Sequence, residues 1–162
     1  MSRAVMLSIR PKWCVKIYNW GKTVEVRKTR PKIEPPFKCY IYCTKNGEAI
    51  WGKNYERDGY LNGKVIGEFV CDGIEEYFYD YCTHPEIGMD YDCGDSWWEI
   101  DKEDLKRACM TYEQFKEYAM PNKDCMFGWH IFDLVIYDTP KTLQEFGITM
   151  PPQSWRYVEG EE

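Results

Sequence analysis

Three charged residues at fixed spacing form the most informative chemical pattern in this sequence. Lys22, Glu25 and Arg27 lie in the run Gly21-Lys22-Thr23-Val24-Glu25-Val26-Arg27. Side chains alternate along a strand, so Thr23, Glu25 and Arg27 would share the polar face of a strand predicted over Thr23–Thr29. A guanidinium offers paired donors for a phosphate or a base edge, and a glutamate supplies acceptors. The pattern indicates a binding site, although an ordinary solvated strand face would read the same way.

The residues around this run extend the pattern. Ser8, Arg10 and Lys12 connect a predicted strand to a predicted helix, and Trp13 and Trp20 could either stack on bases or pack in the core. If the two predicted strands pair, all these groups meet at one rim of the fold. We expect Lys12, Lys28 and Arg30 to contact phosphates, and Arg10, Lys22, Glu25 and Arg27 to hold a base or nucleoside. The candidate nucleic-acid or nucleotide-binding residues are therefore Ser8, Arg10, Lys12, Trp13, Lys22, Thr23, Glu25, Arg27, Lys28 and Arg30.

The charge distribution favours a polyanionic partner for the same segment. The chain has 162 residues and a net charge of −6, but residues 1–45 carry +9 and residues 46–162 carry −15. A basic segment in an acidic protein is typical of a surface that meets a polyanion. The alternative is that the two parts attract each other within the fold.

The elements that must position these residues are short. Apolar and alternating runs predict strands over 4–9, 23–29, 37–44, 64–71, 128–139 and 154–158. Pro11 suits the first turn of a helix that runs to Trp20, Thr111 is a predicted N-cap, and residues 142–146 predict a helical turn. Strands and helices do not alternate regularly. The sequence predicts an α+β fold, a small mixed β-barrel of five or six strands with two or three short helices.

One acidic and aromatic segment stands apart from this pattern. Residues 75–104 hold eleven acidic residues against the single base Lys102. We expect one domain over residues 1–162 with a possible acidic insertion at 75–104. That insertion is a candidate surface for a protein partner, and it could cover the basic segment.

The remaining composition argues for a reduced, cofactor-free protein. The eight cysteines show no C-x-x-C pair, and we expect no secretory leader, so we interpret them as buried thiols and expect no metal and no cofactor. The sequence has no apolar run of membrane-spanning length, which predicts a cytoplasmic protein without a membrane partner.

The run Leu7-Ser8-Ile9-Arg10-Pro11, then Ile17, then Gly21 to Arg27, resembles the signature of ASCH domains in the PUA-like superfamily, as found in bacterial or phage proteins. That signature is a strand, a helix and a G-x-K-x-x-E-x-R motif. The resemblance implies a small β-barrel with helices at its openings and a cleft near the motif that binds RNA or a nucleotide.

The same resemblance implies an alternative activity. Some ASCH proteins are amidohydrolases that remove an acetyl group from the exocyclic amine of acetylcytidine, using a Lys to activate a Thr with help from a Glu. Lys22 matches the Lys, whereas Glu25 stands where the Thr is found, and Thr23 would be displaced by about 6–7 Å along the strand. The candidate catalytic residues, if the protein is an enzyme, are Lys22 and Glu25. We therefore rank binding above catalysis.

Overall fold

The first strand is buried along almost its whole length and organises the larger sheet. The computed structural model describes residues 2–19, 21–80, 83–84, 89–90, 97–122 and 124–160. In chain order its elements are β1 (Arg3–Ile9), α1 (Pro11–Asn19), β2 (Val24–Arg27), β3 (Phe37–Cys43), α2 (Tyr55–Asp58), β4 (Lys64–Cys71), β5 (Ile74–Asp80), β6 (Thr83–His84), β7 (Met89–Asp90), β8 (Trp97–Trp98), α3 (Lys102–Ala108), α4 (Tyr112–Ala119), β9 (Cys125–His130), β10 (Phe132–Lys141), a 3₁₀ turn (Leu143–Phe146) and β11 (Trp155–Glu159).

Two sheets carry the fold. The larger has the order β10-β4-β3-β1-β11, in which β1 and β3 are parallel and the other neighbours antiparallel. The smaller has the order β2-β9-β5-β8, and β6 and β7 form a separate pair. The predicted α+β class and PUA-like fold are confirmed. The described residues form eleven strands rather than five or six, because the run 128–139 belongs to two strands, the acidic segment contributes β5, and β6, β7 and β8 are only two residues long.

Both faces of β1 are covered, which explains why it reads as an unbroken apolar run. Val5, Leu7 and Ile9 pack into the largest core cluster with Cys14 and Ile17 of α1. Ala4 and Met6 face a second cluster that includes Tyr40, Leu143 and Val158. The first helix is therefore held on the sheet by its apolar face, which leaves Lys12 exposed and Trp13 and Lys16 half-buried.

The run predicted as one strand over residues 128–139 is two strands in different sheets. β9 pairs with β2 and β5 in the smaller sheet, whereas β10 pairs with β4 in the larger. The chain crosses between the sheets at Ile131, and Asp133 has a positive φ of 51°. β9 is rich in apolar residues and β10 contains several β-branched ones, so the sequence pattern continues through a bend that separates the two sheets.

The acidic segment is partly built into the smaller sheet. β5 pairs with β9 along five residue pairs, from Ile74↔Trp129 to Phe78↔Cys125, and β8 pairs with β5. The residues predicted as an insertion that are numbered 81–82, 85–88 and 91–96 lie outside the described residues. None of the helices in the described ranges is long and apolar enough to cross a membrane.

Candidate functional site

The Lys22, Glu25 and Arg27 side chains meet in one buried cluster. Lys22 Nζ lies 3.4 Å from Glu25 Oε2, and Arg27 Nε lies 3.1 Å from Glu25 Oε1. Only 1%, 8% and 7% of the three side chains is exposed, in that order. The convergence predicted by their spacing therefore occurs, but the charged groups are shielded from solvent rather than spread along an open surface. We call these three residues the buried triad.

The triad connects four parts of the fold through its outward donors. Lys22 Nζ donates to the Ala108 carbonyl at 2.7 Å, at the end of α3. Arg27 Nη2 donates to the Ser8 carbonyl at 2.7 Å, near the end of β1, and Nη1 donates to Ser154 Oγ at 3.3 Å, just before β11. The triad contains two cations and one anion, so it has a formal charge of +1 within the protein.

The two early strands do not pair, although the side chains at their ends are brought together. β2 pairs with β9, with Glu25 opposite Trp129 and Arg27 opposite Phe127, and not with β1. Val24 and Val26 face a core cluster with Phe115 and other α4 residues. The opposite face of β2 is directed toward the end of β1, which is why Arg27 reaches Ser8 without a shared ladder.

The pKa of Lys22 reflects its burial. Removal of the ammonium group from water lowers the pKa of Lys22 below its usual value of 10.5, and the Glu25 carboxylate opposes part of that shift. Burial likewise raises the pKa of Cys14, on the core side of α1, well above 9.0. No group of His, Cys, Asp and Glu side chains among the described residues could hold a metal ion.

Three lysine ammonium groups surround the indole of Trp13. Lys12 Nζ, Lys16 Nζ and Lys22 Nζ lie 4.7, 5.0 and 4.9 Å from its ring centroid. Lys16 Nζ also donates to the Cys109 carbonyl at 3.3 Å, beside the Ala108 carbonyl bound by Lys22. The two lysines thus bind the negative end of α3, where free carbonyls favour cations.

The remaining predicted residues have unequal surroundings. Arg10 and Lys12 are exposed at the start of α1. Lys28 Nζ lies 5.3 Å from the Tyr118 ring centroid. Arg30 is paired with two carboxylates, Glu34 at 3.3 Å and Glu76 at 3.9 Å, so it is partly neutralised.

Two of the predicted residues contribute backbone groups to the arrangement. Thr23 is exposed, its N–H donates to the Arg107 carbonyl at 2.8 Å, and its carbonyl accepts from Ile131. Ser8 is buried, its N–H donates to the Ser154 carbonyl at 2.9 Å, and its hydroxyl donates to the Pro152 carbonyl.

Sequence reasoning missed several partners of the triad. The carbonyls of Ala108 and Cys109 carry no side-chain signal, because any residue supplies a carbonyl. Ser154, just before β11, also reaches Arg27. Trp155, its neighbour, donates from Nε1 to Thr29 Oγ1 at 2.9 Å.

Comparison with known proteins identifies the fold. No protein-family model and no curated protein sequence matches this chain. Its structure is similar to the crystal structure of ASCH from Zymomonas mobilis, with a TM-score of 0.61 at 17% identity over 96% of this chain and 87% of that one. Two mutants of the same protein match with TM-scores of 0.60 at 16% identity, again over 96% of this chain and over 90% and 88% of theirs.

In this sequence the glycine directly precedes the lysine, one position later than in the G-x-K-x-x-E-x-R signature. The lysine, glutamate and arginine keep their mutual spacing. The structural similarity to these ASCH structures shows that the chain has the fold of an ASCH domain.

Proposed function

We propose that this ASCH domain binds a single RNA strand or a nucleotide at the surface above the buried triad. The observation that carries the proposal is the set of cations around Trp13 and the first turn of α1. Among the described residues, no carboxylate pairs with Arg10, Lys12 or Lys28, whereas Arg30, Lys38, Arg57 and Arg107 are paired. Unpaired cations beside an aromatic ring suit a ligand that carries both a phosphate and a base.

In this arrangement the triad positions the binding surface. Its hydrogen bonds hold the ends of β1 and α3 against β2, which fixes α1 and its exposed cations. Arg10, Lys12 and Lys28 contact phosphates, and the accessible part of Trp13 meets a base. Arg30 contributes little, because Glu34 and Glu76 already compensate its charge.

The test is the affinity for a fluorescently labelled 12-nucleotide RNA, measured by anisotropy between 50 and 300 mM salt. The variant Arg10→Ala with Lys12→Ala removes two phosphate contacts and lowers affinity at 50 mM salt about tenfold. It also reduces the salt slope by about 1.4, since each single-strand contact contributes about 0.7. The matched control is Arg156→Ala with Lys102→Ala, an exposed arginine on the face of the larger sheet opposite α1 and an exposed lysine at the start of α3. Absence of RNA binding at 50 mM salt, or equal loss in both double variants, would overturn the proposal.

A DNA strand of the same sequence serves as a second ligand. Preference for RNA requires contacts to the 2′-hydroxyl, so an RNA-binding surface binds the DNA more weakly. Equal affinity for both strands would restrict the proposal to contacts with phosphates and bases.

The buried lysine supports a second candidate, hydrolysis of an acylated cytidine. A Lys22 with a lowered pKa gives up its proton more readily and can activate water near Glu25. Water would add to the acyl carbon, and the exocyclic amine would leave with a proton supplied by Glu25 or the lysine. No sequence element supplies the Thr nucleophile at its usual position.

Loss of acetylcytidine absorbance in the presence of the purified protein tests this second candidate. Turnover that disappears in Lys22→Met, while circular dichroism shows a folded variant, would support it. No turnover in the unmodified protein removes it without any variant.

A further inference from the structure

A separate cavity with an aromatic wall lies on the other side of α1. It has a volume of about 240 Å³. Leu61, Ile66 and Ile136 contribute apolar lining, and Trp51 and Tyr18 contribute aromatic rings. Trp13 and Tyr18 are five residues apart on α1, so their side chains leave the helix about 140° apart. The cavity is therefore distinct from the surface proposed above.

The aromatic wall consists of three largely exposed side chains. Trp51, Tyr55 and Tyr60 are 53%, 62% and 48% exposed, and the Trp51 ring contacts both tyrosine rings. The Trp51 and Tyr60 ring centroids are 4.0 Å apart with an angle of 33° between the planes. Tyr60 therefore covers one face of the indole, and Trp51 itself lines the cavity.

The loop that carries this wall is held in place. Trp51 and Tyr60 form an isolated β-bridge, and the Gly52 N–H donates to the Gly59 carbonyl at 3.0 Å. A Cβ at Gly52 would lie 2.8 Å from Asp58 Cβ, so only glycine permits this approach. Asp58 is buried and paired with Arg57 at 2.7 Å. A ring that docks against Trp51 would thus meet a wall that is already ordered.

A cation stands at the edge of the same cavity. Lys53 lines it and is exposed, and no carboxylate of the described residues pairs with this lysine. Asp58 also lines the cavity, but Arg57 compensates its charge. An aromatic wall, an apolar floor and the ammonium group of Lys53 together match a ligand with a planar ring and a negative charge. The volume is below the roughly 300–1,000 Å³ typical of pockets for drug-sized ligands, which favours one small ring system.

We propose that this cavity binds one pyrimidine nucleotide, with its base stacked on Trp51 and its phosphate near Lys53. The nucleotide can be free or part of a single strand, since both present the same groups. This site goes beyond the function proposed above and does not depend on it, because the two share no side chain.

The test is a titration of cytidine 5′-monophosphate and cytidine, followed by ligand-observed NMR. Trp51→Ala lowers the affinity for the monophosphate about tenfold, as expected for loss of one base–aromatic stack, and Trp51→Phe retains most of it. Lys53→Ala lowers the affinity for the monophosphate and leaves that for cytidine unchanged. Trp97→Ala is the matched control, since Trp97 is 51% exposed on the other sheet, and it changes neither affinity.

Three results would overturn the second site: no binding of the monophosphate, equal binding by Trp51→Ala and the unmodified protein, or equal loss in Trp97→Ala. The Arg10→Ala, Lys12→Ala variant retains binding at this cavity. A failure of the second-site proposal can therefore be distinguished from a failure of the function proposed above. An eight-nucleotide oligocytidine that binds more tightly than the monophosphate and remains sensitive to Trp51→Ala identifies the strand as the source.

Discussion

Glu25 lies between two cations that have almost no contact with water. Its carboxylate is within 3.4 Å of Lys22 and 3.1 Å of Arg27, and all three side chains are at most 8% exposed. Alternate strand residues share a face, so the spacing predicts that Glu25 and Arg27 come together, whereas Lys22 precedes β2 and joins them from outside the strand. The spacing does not predict their burial, because a polar strand face looks the same when it faces solvent and when later elements cover it.

Replacement of Glu25 by Gln therefore leaves two buried cations without a compensating charge. We expect the free energy of unfolding at pH 7 to fall by about 3–5 kcal/mol, measured by urea denaturation. Glu34→Gln is the matched control: Glu34 is 83% exposed in its pair with Arg30, so its loss costs at most about 1 kcal/mol. Similar losses in the two variants would show that the triad is not held together by its carboxylate.

The thiol of Cys71 gives a second prediction at this scale, on pH dependence. Burial raises the pKa of Cys71 from 9.0 to about 11. Between pH 9 and 11 the unfolded chain loses this proton while the folded chain keeps it, so stability is full below pH 9 and falls as pH rises. The maximum slope from one such group is about 1.4 kcal/mol per pH unit.

Urea denaturation of Cys71→Ala across pH 8–11 measures this contribution. The variant should lose stability less steeply with pH than the unmodified protein, whatever its stability at pH 8. Val70→Ala, on the same strand, has no titrating group and should keep the original slope. A Cys71→Ala slope identical to that of the unmodified protein would contradict the prediction.

Among the elements, helix α4 shows what can be read directly from local sequence. Thr111 is the predicted N-cap, and its Oγ1 accepts from the Gln114 N–H at 3.1 Å while Gln114 Oε1 accepts from the Thr111 N–H at 2.9 Å. The helix starts where the cap predicts because these groups are local. By contrast, the change of sheet at Ile131 depends on distant strands, and the periodicity of the sequence does not predict it.

Loss of this cap should weaken the support of β2, since Phe115 and Ala119 of α4 pack with Val24 and Val26. We expect Thr111→Ala to lower the free energy of unfolding by about 1 kcal/mol, measured by urea denaturation. Thr149→Ala is the control, because Thr149 is exposed and makes no side-chain hydrogen bond within the described residues. Equal stability of Thr111→Ala and the unmodified protein would mean that the capping box is dispensable.

At the scale of the whole molecule, the pairing of distant strands and the ion pairs between distant segments are the features that the sequence predicts least. Neither the parallel pairing of β1 with β3 nor the antiparallel pairing of β1 with β11 has a local signal. The ion pair between Arg30 and Glu76 joins the basic segment to the acidic one. That contact supports some attraction between the two parts of the chain, while no carboxylate of the described residues pairs with Arg10, Lys12 or Lys28.

Trp155 joins the two sheets and carries the last prediction. It lies on β11 of the larger sheet, its ring centroid is 6.0 Å from that of Trp129 in the smaller sheet, and its Nε1 donates to Thr29 Oγ1. Trp155→Ala should remove both contacts and lower the free energy of unfolding by about 3 kcal/mol. Thr29→Val, which removes only the hydrogen bond, should cost about 1 kcal/mol. Urea denaturation measures both free energies of unfolding. Equal losses in the two variants would contradict the prediction, because packing of the indole rings would then add nothing to the attachment of one sheet to the other.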